Sequence, residues 1–275
     1  MSTINCKGTL IDLSTPKVMG IVNVTPDSFF DGGKLTNSDE IVVQVEKMLQ
    51  DGATFIDLGG YSSKPGAEFV SETEELNRVV PIVKLLVEKF PDILLSIDTF
   101  RSEVAKQTVE NGAAIINDIS AGLLDEKMLE TVAKLQVPYI MMHMKGTPKT
   151  MQSLANYDDL LKEMNFYFSE RIAKARNFGL NDIIIDPGFG FAKTLEHNYE
   201  LLHNLELLQF HELPILAGIS RKSMIYKTLE TSPEDALNGT TFLHAFCLQK
   251  GANILRVHDV KEAVECVKLM CRLGN

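Results

Sequence analysis

Apolar residues in this chain fall into short unbroken runs that alternate with longer stretches of helical period. The runs at 17–23, 54–58, 93–97, 114–118, 137–142, 182–186, 213–217 and 253–257 are rich in Ile, Val and Leu. They are too short for helices and read as strands covered on both faces. Between them, 39–50, 71–89, 103–111, 126–134, 157–177, 195–208, 233–249 and 260–272 carry apolar residues three and four apart. Ile41, Val45 and Met48 share one stripe, and Leu76, Val79, Val80, Val83 and Leu86 share another, as amphipathic helices require. Ser71 with Glu74 has the pattern of a capping box, and Ser232 before Pro233 that of an N-cap followed by a first-turn proline. Gly52, Gly112 and Gly251 each fall between a helical run and a strand, where a left-handed residue ends a helix.

Eight strand–helix units in 275 residues predict an α/β fold, a single (β/α)₈ TIM-type barrel domain over 1–275 with 5–12 as a short N-terminal β cover. The alternative is an open doubly wound sheet. It is disfavoured because no glycine-rich dinucleotide fingerprint follows the first strand, and Gly59 with Gly60 lacks the spacing after the second.

Composition changes the picture chiefly by exclusion. The apolar fraction of 45% and charged fraction of 23% fit a packed core. A formal net charge of −10 offers no basic face, so nucleic acid is not an expected partner. No apolar run is long enough to span a bilayer, and residues 1–12 have no basic segment leading into an apolar one, so the expected location is cytoplasmic. Cys6, Cys247, Cys266 and Cys271 are too few and irregular for a disulfide or zinc framework. Cys266 and Cys271, five apart in a helix, should not share a face.

Barrel enzymes build their sites at the C-terminal ends of the strands. Here those ends carry, in order, Asn23, Gly59 with Gly60, Asp98, Asn117 with Asp118, His143, Asp186, Ser220 to Ser223, and Arg256 with His258. One such residue alone reads as a cap or a loop ion pair. Carboxylates, amides, cations and histidines converging on one rim would be a stability cost without a ligand to pair with.

The segments Asn23-Val24-Thr25-Pro26-Asp27-Ser28-Phe29, Ser96-Ile97-Asp98-Thr99, Ile116-Asn117-Asp118, Met142-His143-Met144 with Gly146-Thr147-Pro148, Asp186-Pro187-Gly188-Phe189-Gly190-Phe191, Gly218-Ile219-Ser220-Arg221-Lys222-Ser223 and Arg256-Val257-His258-Asp259 resemble, in order, the motifs of the dihydropteroate synthase family of pterin-binding barrels. The resemblance runs from about residue 17 to the C-terminus. It implies a transferase of folate biosynthesis that condenses 6-hydroxymethyl-7,8-dihydropterin diphosphate with 4-aminobenzoate and releases pyrophosphate, with sulfonamides as inhibitors and a homodimeric assembly through the sixth to eighth helices of the barrel.

The resemblance also implies roles. Asp98, Asn117 and Asp186 would read the pterin edge, Lys222 would donate to the ring acceptors, Arg256 would stack on the ring and Met142 would pack beneath it. Asp98, Asp186 and Lys222 are the implied catalytic set, since positive charge develops on the pterin as the diphosphate leaves. Asn23, Arg256 and His258 would hold the diphosphate, with Mg²⁺ bound by Asn23 and phosphate oxygens. Ser63, Lys64, Pro65, Phe191, Lys222 and Ser223 would bind 4-aminobenzoate. A zinc site from His143 and His258 has no supporting spacing. Backbone donors at the head of a short helix over 221–227 offer a further anion contact.

The chain departs from the family in Gly60-Tyr61-Ser62-Ser63-Lys64-Pro65-Gly66, with Tyr, Ser and Lys where Glu, Thr and Arg are usual, and in Ala192 where Gly is usual. Two rivals remain open. A methyltetrahydrofolate-binding methyltransferase domain would share the barrel and pterin site but lack the diphosphate loop and the Ser-Arg-Lys-Ser segment. A non-catalytic pterin-binding paralogue would release no pyrophosphate.

Overall fold

The structure is a computed structural model that describes residues 3–24, 36–61, 70–147 and 150–274. An antiparallel hairpin, β1 (Thr3–Cys6) and β2 (Thr9–Asp12), precedes the repeating part. There follow β3 (Lys17–Asn23), α1 (Thr36–Gln50), β4 (Phe55–Gly59), α2 (Glu72–Lys89), β5 (Leu95–Asp98), α3 (Ser102–Glu110), β6 (Ile115–Asp118), α4 (Met128–Leu135), β7 (Tyr139–Met142) and α5 (Leu160–Asn177). The chain continues through β8 (Ile183–Asp186), α6 (Leu195–His203), β9 (Leu216–Ala217), α7 (Ser223–Thr228), α8 (Leu237–Gln249), β10 (Ile254–Val257) and α9 (Val260–Arg272). Strands β3 to β10 form one parallel sheet in the order β8-β7-β6-β5-β4-β3-β10-β9. A parallel bridge between Ile185 and Ile215 brings its two edges together, so the sheet closes into the expected barrel.

Alternation along the strands separates two cores. Ile56, Leu58, Ile97, Ile116, Met141, Ile185 and Val257 point outward and pack against the helices, joined by Val79, Val83, Leu86, Phe168 and Leu201. The intervening residues Met19, Phe55, Ile115, Ile140, Ile184 and Ile254 fill the barrel interior together with Ile4, Cys6 and Leu13 from the hairpin. The N-terminal cover is therefore a plug, which closes the end opposite the polar rim with apolar side chains.

Helix ends follow local chemistry. Ser71 caps α2, its Oγ accepting from the Glu74 backbone N–H at 3.2 Å. Gly52, Gly112 and Gly251 have φ of 102°, 105° and 91°, the left-handed conformation that glycine adopts without a Cβ clash. Three expectations need correction. The run 195–208 divides into α6 and a 3₁₀ segment at Leu205–His211. The strand over 213–217 is reduced to Leu216–Ala217. Ser232 and Pro233 do not start a helix: Ser232 Oγ accepts from Asp235 N in a turn, and the Pro233 and Glu234 carbonyls accept from the Arg221 guanidinium, so α8 begins only at Leu237. The Pro233 carbonyl also accepts from Ala236 N at 3.4 Å, which closes a turn rather than a helical rung.

All four cysteines are free; Cys266 is buried on α9 and Cys271 is exposed, on different faces as their spacing requires. Truncating the fully buried plug residue in Leu13→Ala should cost about 2–5 kcal/mol, the range for a large-to-small change in a core. Denaturant unfolding against the parent chain measures it, and a loss under about 0.5 kcal/mol would mean that the plug adds nothing to the barrel.

Candidate active site

Strand register sets the rim. Asn23 is level with Gly59, Gly59 with Asp98, Asp98 with Asn117, and Met142 with Asp186. Side chains of neighbouring parallel strands at one level point the same way, so one ring of residues faces the open mouth. Arg256 starts deeper, level with Met19, and its length carries the guanidinium up into this ring. There Nε donates to Asp57 Oδ2 at 2.6 Å and Nη2 to Asp98 Oδ2 at 2.9 Å.

Asp57 was not singled out from the sequence, yet it is fully buried and also accepts from Asn117 Nδ2 at 3.1 Å. It sits within β4, between Ile56 and Leu58, on the face that Phe55 turns inward. A carboxylate inside an otherwise apolar strand was the available signal, because an unpartnered charge there would be untenable. Burial pushes the Asp98 carboxyl up to about 7, against the pull of Arg256. The two acids hold Arg256 charged in spite of its burial.

Across the mouth, burial also raises the Asp186 carboxyl, while Lys222 draws it back. Asp186 Oδ1 accepts from Gly188 N at 2.7 Å. Lys222, lowered to about 8 by burial, donates to the Phe189 carbonyl and lies 4.9 Å from the centre of the Phe191 ring. Phe191 packs on an apolar patch of Met142, Met144, Ile119, Met151 and Ala192. Ser223 is half-buried as the first residue of α7. α7 itself runs for only six residues, Ser223–Thr228, with Lys222 as its N-cap.

The remaining rim residues divide by environment. Asn23 and His258 are exposed, and His258 Nδ1 meets Ser220 Oγ at 3.0 Å. Arg221, at φ 53°, makes a two-pronged pair with Asp259 at 2.8 Å for each contact, locking the β9–α7 turn to the β10–α9 turn that carries His258. Asp118, by contrast, accepts from Tyr139 Oη at 2.6 Å and from Ser120 and Gly122, which makes it a structural anchor on the outer side. His143 is buried and meets a second residue the sequence reading passed over, Lys193, at 3.1 Å. Ser63, Lys64 and Pro65 lie outside the described residues. Their segment is flanked by Tyr61 and Val70: the Arg101 guanidinium lies 5.7 Å from the Tyr61 ring centre, donates to the Val70 carbonyl and pairs with buried Glu75.

Residues 19–258 match the sequence profile of pterin binding enzymes. The dihydropteroate synthase of Escherichia coli K12 is 45% identical over 266 residues, 96% of this chain and 94% of that protein. A crystal structure of Yersinia pestis dihydropteroate synthase with a sulfonamide drug superposes with a TM-score of 0.92 at 44% identity, covering 99% of both chains. The Xanthomonas albilineans enzyme with 4-aminobenzoic acid gives 0.91 at 39% identity, covering 99% of this chain and 98% of that one.

Removing Asp57 would leave the Arg256 guanidinium short of its deepest partner. Asp57→Ala is expected to cost about 3–5 kcal/mol, the scale for breaking a buried ion pair. Part of this should return when Arg256→Met is added, since the stranded charge is then gone. A double-mutant cycle by denaturant unfolding checks it, and strictly additive losses would refute the coupling.

Proposed function

Because this chain belongs to the pterin-binding enzyme family, we infer that it works as a dihydropteroate synthase, joining the pterin methylene of 6-hydroxymethyl-7,8-dihydropterin diphosphate to the amine of 4-aminobenzoate. The observation that carries this reading is the facing arrangement of Asp98, Asn117 and Asp57-held Arg256 on one side of the mouth and Asp186 with Lys222 on the other. The whole of 1–275 is taken as one catalytic domain.

The reaction breaks the methylene C–O bond, with the electron pair leaving on the diphosphate, and forms a C–N bond from the amine lone pair, whose proton is then released. Positive character grows on the pterin as the bond breaks. Asp98 and Asp186 stand where that charge is stabilised, an effect worth roughly 3 kcal/mol per well-placed group. Asn117 reads the ring edge, Arg256 covers the ring face, Met142 packs below and Lys222 donates to the ring. Phe191 and Ser223 line the side where the aminobenzoate enters, and Ser63, Lys64 and Pro65 are assigned to the same substrate by resemblance.

Asn23, Arg256 and His258 take the diphosphate. Among the described residues no three His, Cys, Asp or Glu side chains gather as a metal site. The donor set, one exposed amide oxygen of Asn23 beside a diphosphate, suits a hard ion such as Mg²⁺ that arrives largely on its substrate. The ion would neutralise charge building on the leaving group.

Exposed apolar side chains gather where the assembly is expected. Phe242 and Phe246 on α8, 63% and 38% exposed, Leu207 and Phe210 after α6 and Leu269 on α9 support a homodimer through these elements. No helix of the described residues is long and apolar enough to cross a membrane, and free cysteines support the proposed cytoplasmic location.

Three measurements bear on these readings. Pyrophosphate release should require both substrates and stop when EDTA removes divalent ions; release without 4-aminobenzoate, or none at all, would overturn the assignment. Asp98 is protonated below about 7, so kcat should fall as pH drops through that value and rise above it, and this limb should vanish in Asp98→Asn; an identical limb in the variant would assign it to another group. Phe242→Glu should shift the species seen by light scattering from dimer to monomer, and an unchanged mass would move the interface elsewhere.

A further inference from the structure

The turn from β8 into α6 is held by a lysine that the reaction scheme does not use. Lys193 is 4% exposed, and its Nζ lies 3.1 Å from His143 Nδ1, 3.0 Å from the Gly188 carbonyl and 3.1 Å from the Phe191 carbonyl. An ammonium has three N–H donors, and three acceptors surround this one.

We propose that Lys193 is a positioning residue for the second substrate: by gathering the Gly188 and Phe191 carbonyls and the His143 ring onto one ammonium, it fixes the Phe191 wall and the Phe189 carbonyl that aims Lys222. The proposal rests on the assigned reaction and deepens it. The backbone between these acceptors is unusual, for Gly188, Gly190 and Ala192 have φ of 69°, 81° and 48°. At Ala192 a Cβ makes that conformation costly. Such a turn persists only where its surroundings hold it: Lys193 takes the Gly188 and Phe191 carbonyls, Tyr157 Oη donates to the Ala192 carbonyl at 2.8 Å, Gly188 N donates to Asp186 Oδ1 at 2.7 Å and Gly190 N to Asn198 Oδ1 at 2.6 Å.

Close packing removes slack on one side. A Cβ on Gly188 would stand 2.3 Å from the His143 carbonyl oxygen, so the turn already lies against the end of β7. On the other side it meets Lys222, whose Cδ would stand 3.5 Å from a Cβ on Gly190. Releasing the two carbonyls frees Phe191 and the Phe189 acceptor together. Burial makes the ammonium sensitive, lowering Lys193 to about 7 although Asp186 on β8 opposes this; Lys222 before α7 and Lys145 after β7 add to the lowering. Burial keeps the facing His143 ring neutral, so it serves as an acceptor through Nδ1. Below about 7 all three donors are present; as pH rises past that value the amine loses one.

The test is steady-state kinetics on the full chain with Lys193→Met, which keeps the length and removes the donors, and Lys193→Gln, which keeps a donor amide. For Lys193→Met the KM for 4-aminobenzoate should rise tenfold or more while the KM for the pterin diphosphate changes less than about twofold; Lys193→Gln should fall between. In the unmodified protein the KM for 4-aminobenzoate should climb as pH passes from 6 to 8.5, and the component centred near 7 should be missing in Lys193→Met. Equal changes in both KM values, or a lowered melting temperature with both unchanged, would reduce Lys193 to a structural residue. If neither variant folds, a flat KM for 4-aminobenzoate across that pH range in the unmodified protein overturns the proposal. Pyrophosphate release by the unmodified protein tells failure of this inference from failure of the assigned reaction.

Discussion

The constraint on which the site depends is that Arg256 carries its charge inside a closed barrel. A guanidinium cannot sit there without anions, and Asp57 and Asp98 supply them at 2.6 and 2.9 Å. The same Asp57 oxygen that receives Arg256 also receives Asn117, so two residues assigned to the pterin share one carboxylate atom. Such networks are stiff because every member is costly to strand. The barrel tolerates them because its other end is packed with Phe55, Ile115, Ile140, Ile184 and the hairpin plug, which leaves polar groups only one mouth at which to gather.

Opposite that network the chain relies on lysines. Lys222 and Lys193 both point into the β8–α6 turn, one onto the Phe189 carbonyl and the other onto those of Gly188 and Phe191. Both are lowered by burial, to about 8 and about 7. An acid-and-arginine side faces an acid-and-lysine side, and the two differ in which member changes charge: on the first the arginine is pinned in its charged state and the Asp98 carboxyl stands near neutral pH, whereas on the second the lysines do.

The fold was legible because its signal is repetitive. Eight apolar runs and the stripes between them specify strands buried on both faces and helices buried on one, and the plug was visible as a short β segment before the first repeat. Rim residues such as Asp98, Asn117, Asp186 and Arg256 could be read because strand ends are recognisable and the residue types there are out of place in a core. Where sequence reading erred, a tertiary contact had overridden a local rule, as when Arg221 took the Pro233 and Glu234 carbonyls and moved the start of α8 to Leu237.

What the sequence by itself determined is which residues face inward and at which end, because alternation and strand order follow from short-range sterics and from where apolar side chains must go. What only the tertiary structure decided is who pairs with whom. Asp57 lies 199 positions from Arg256 and 60 from Asn117, and Lys193 lies 50 from His143. No local pattern encodes such partnerships, since they exist only once closure of the sheet brings distant strands to one level and burial makes each unpaired charge too costly to keep.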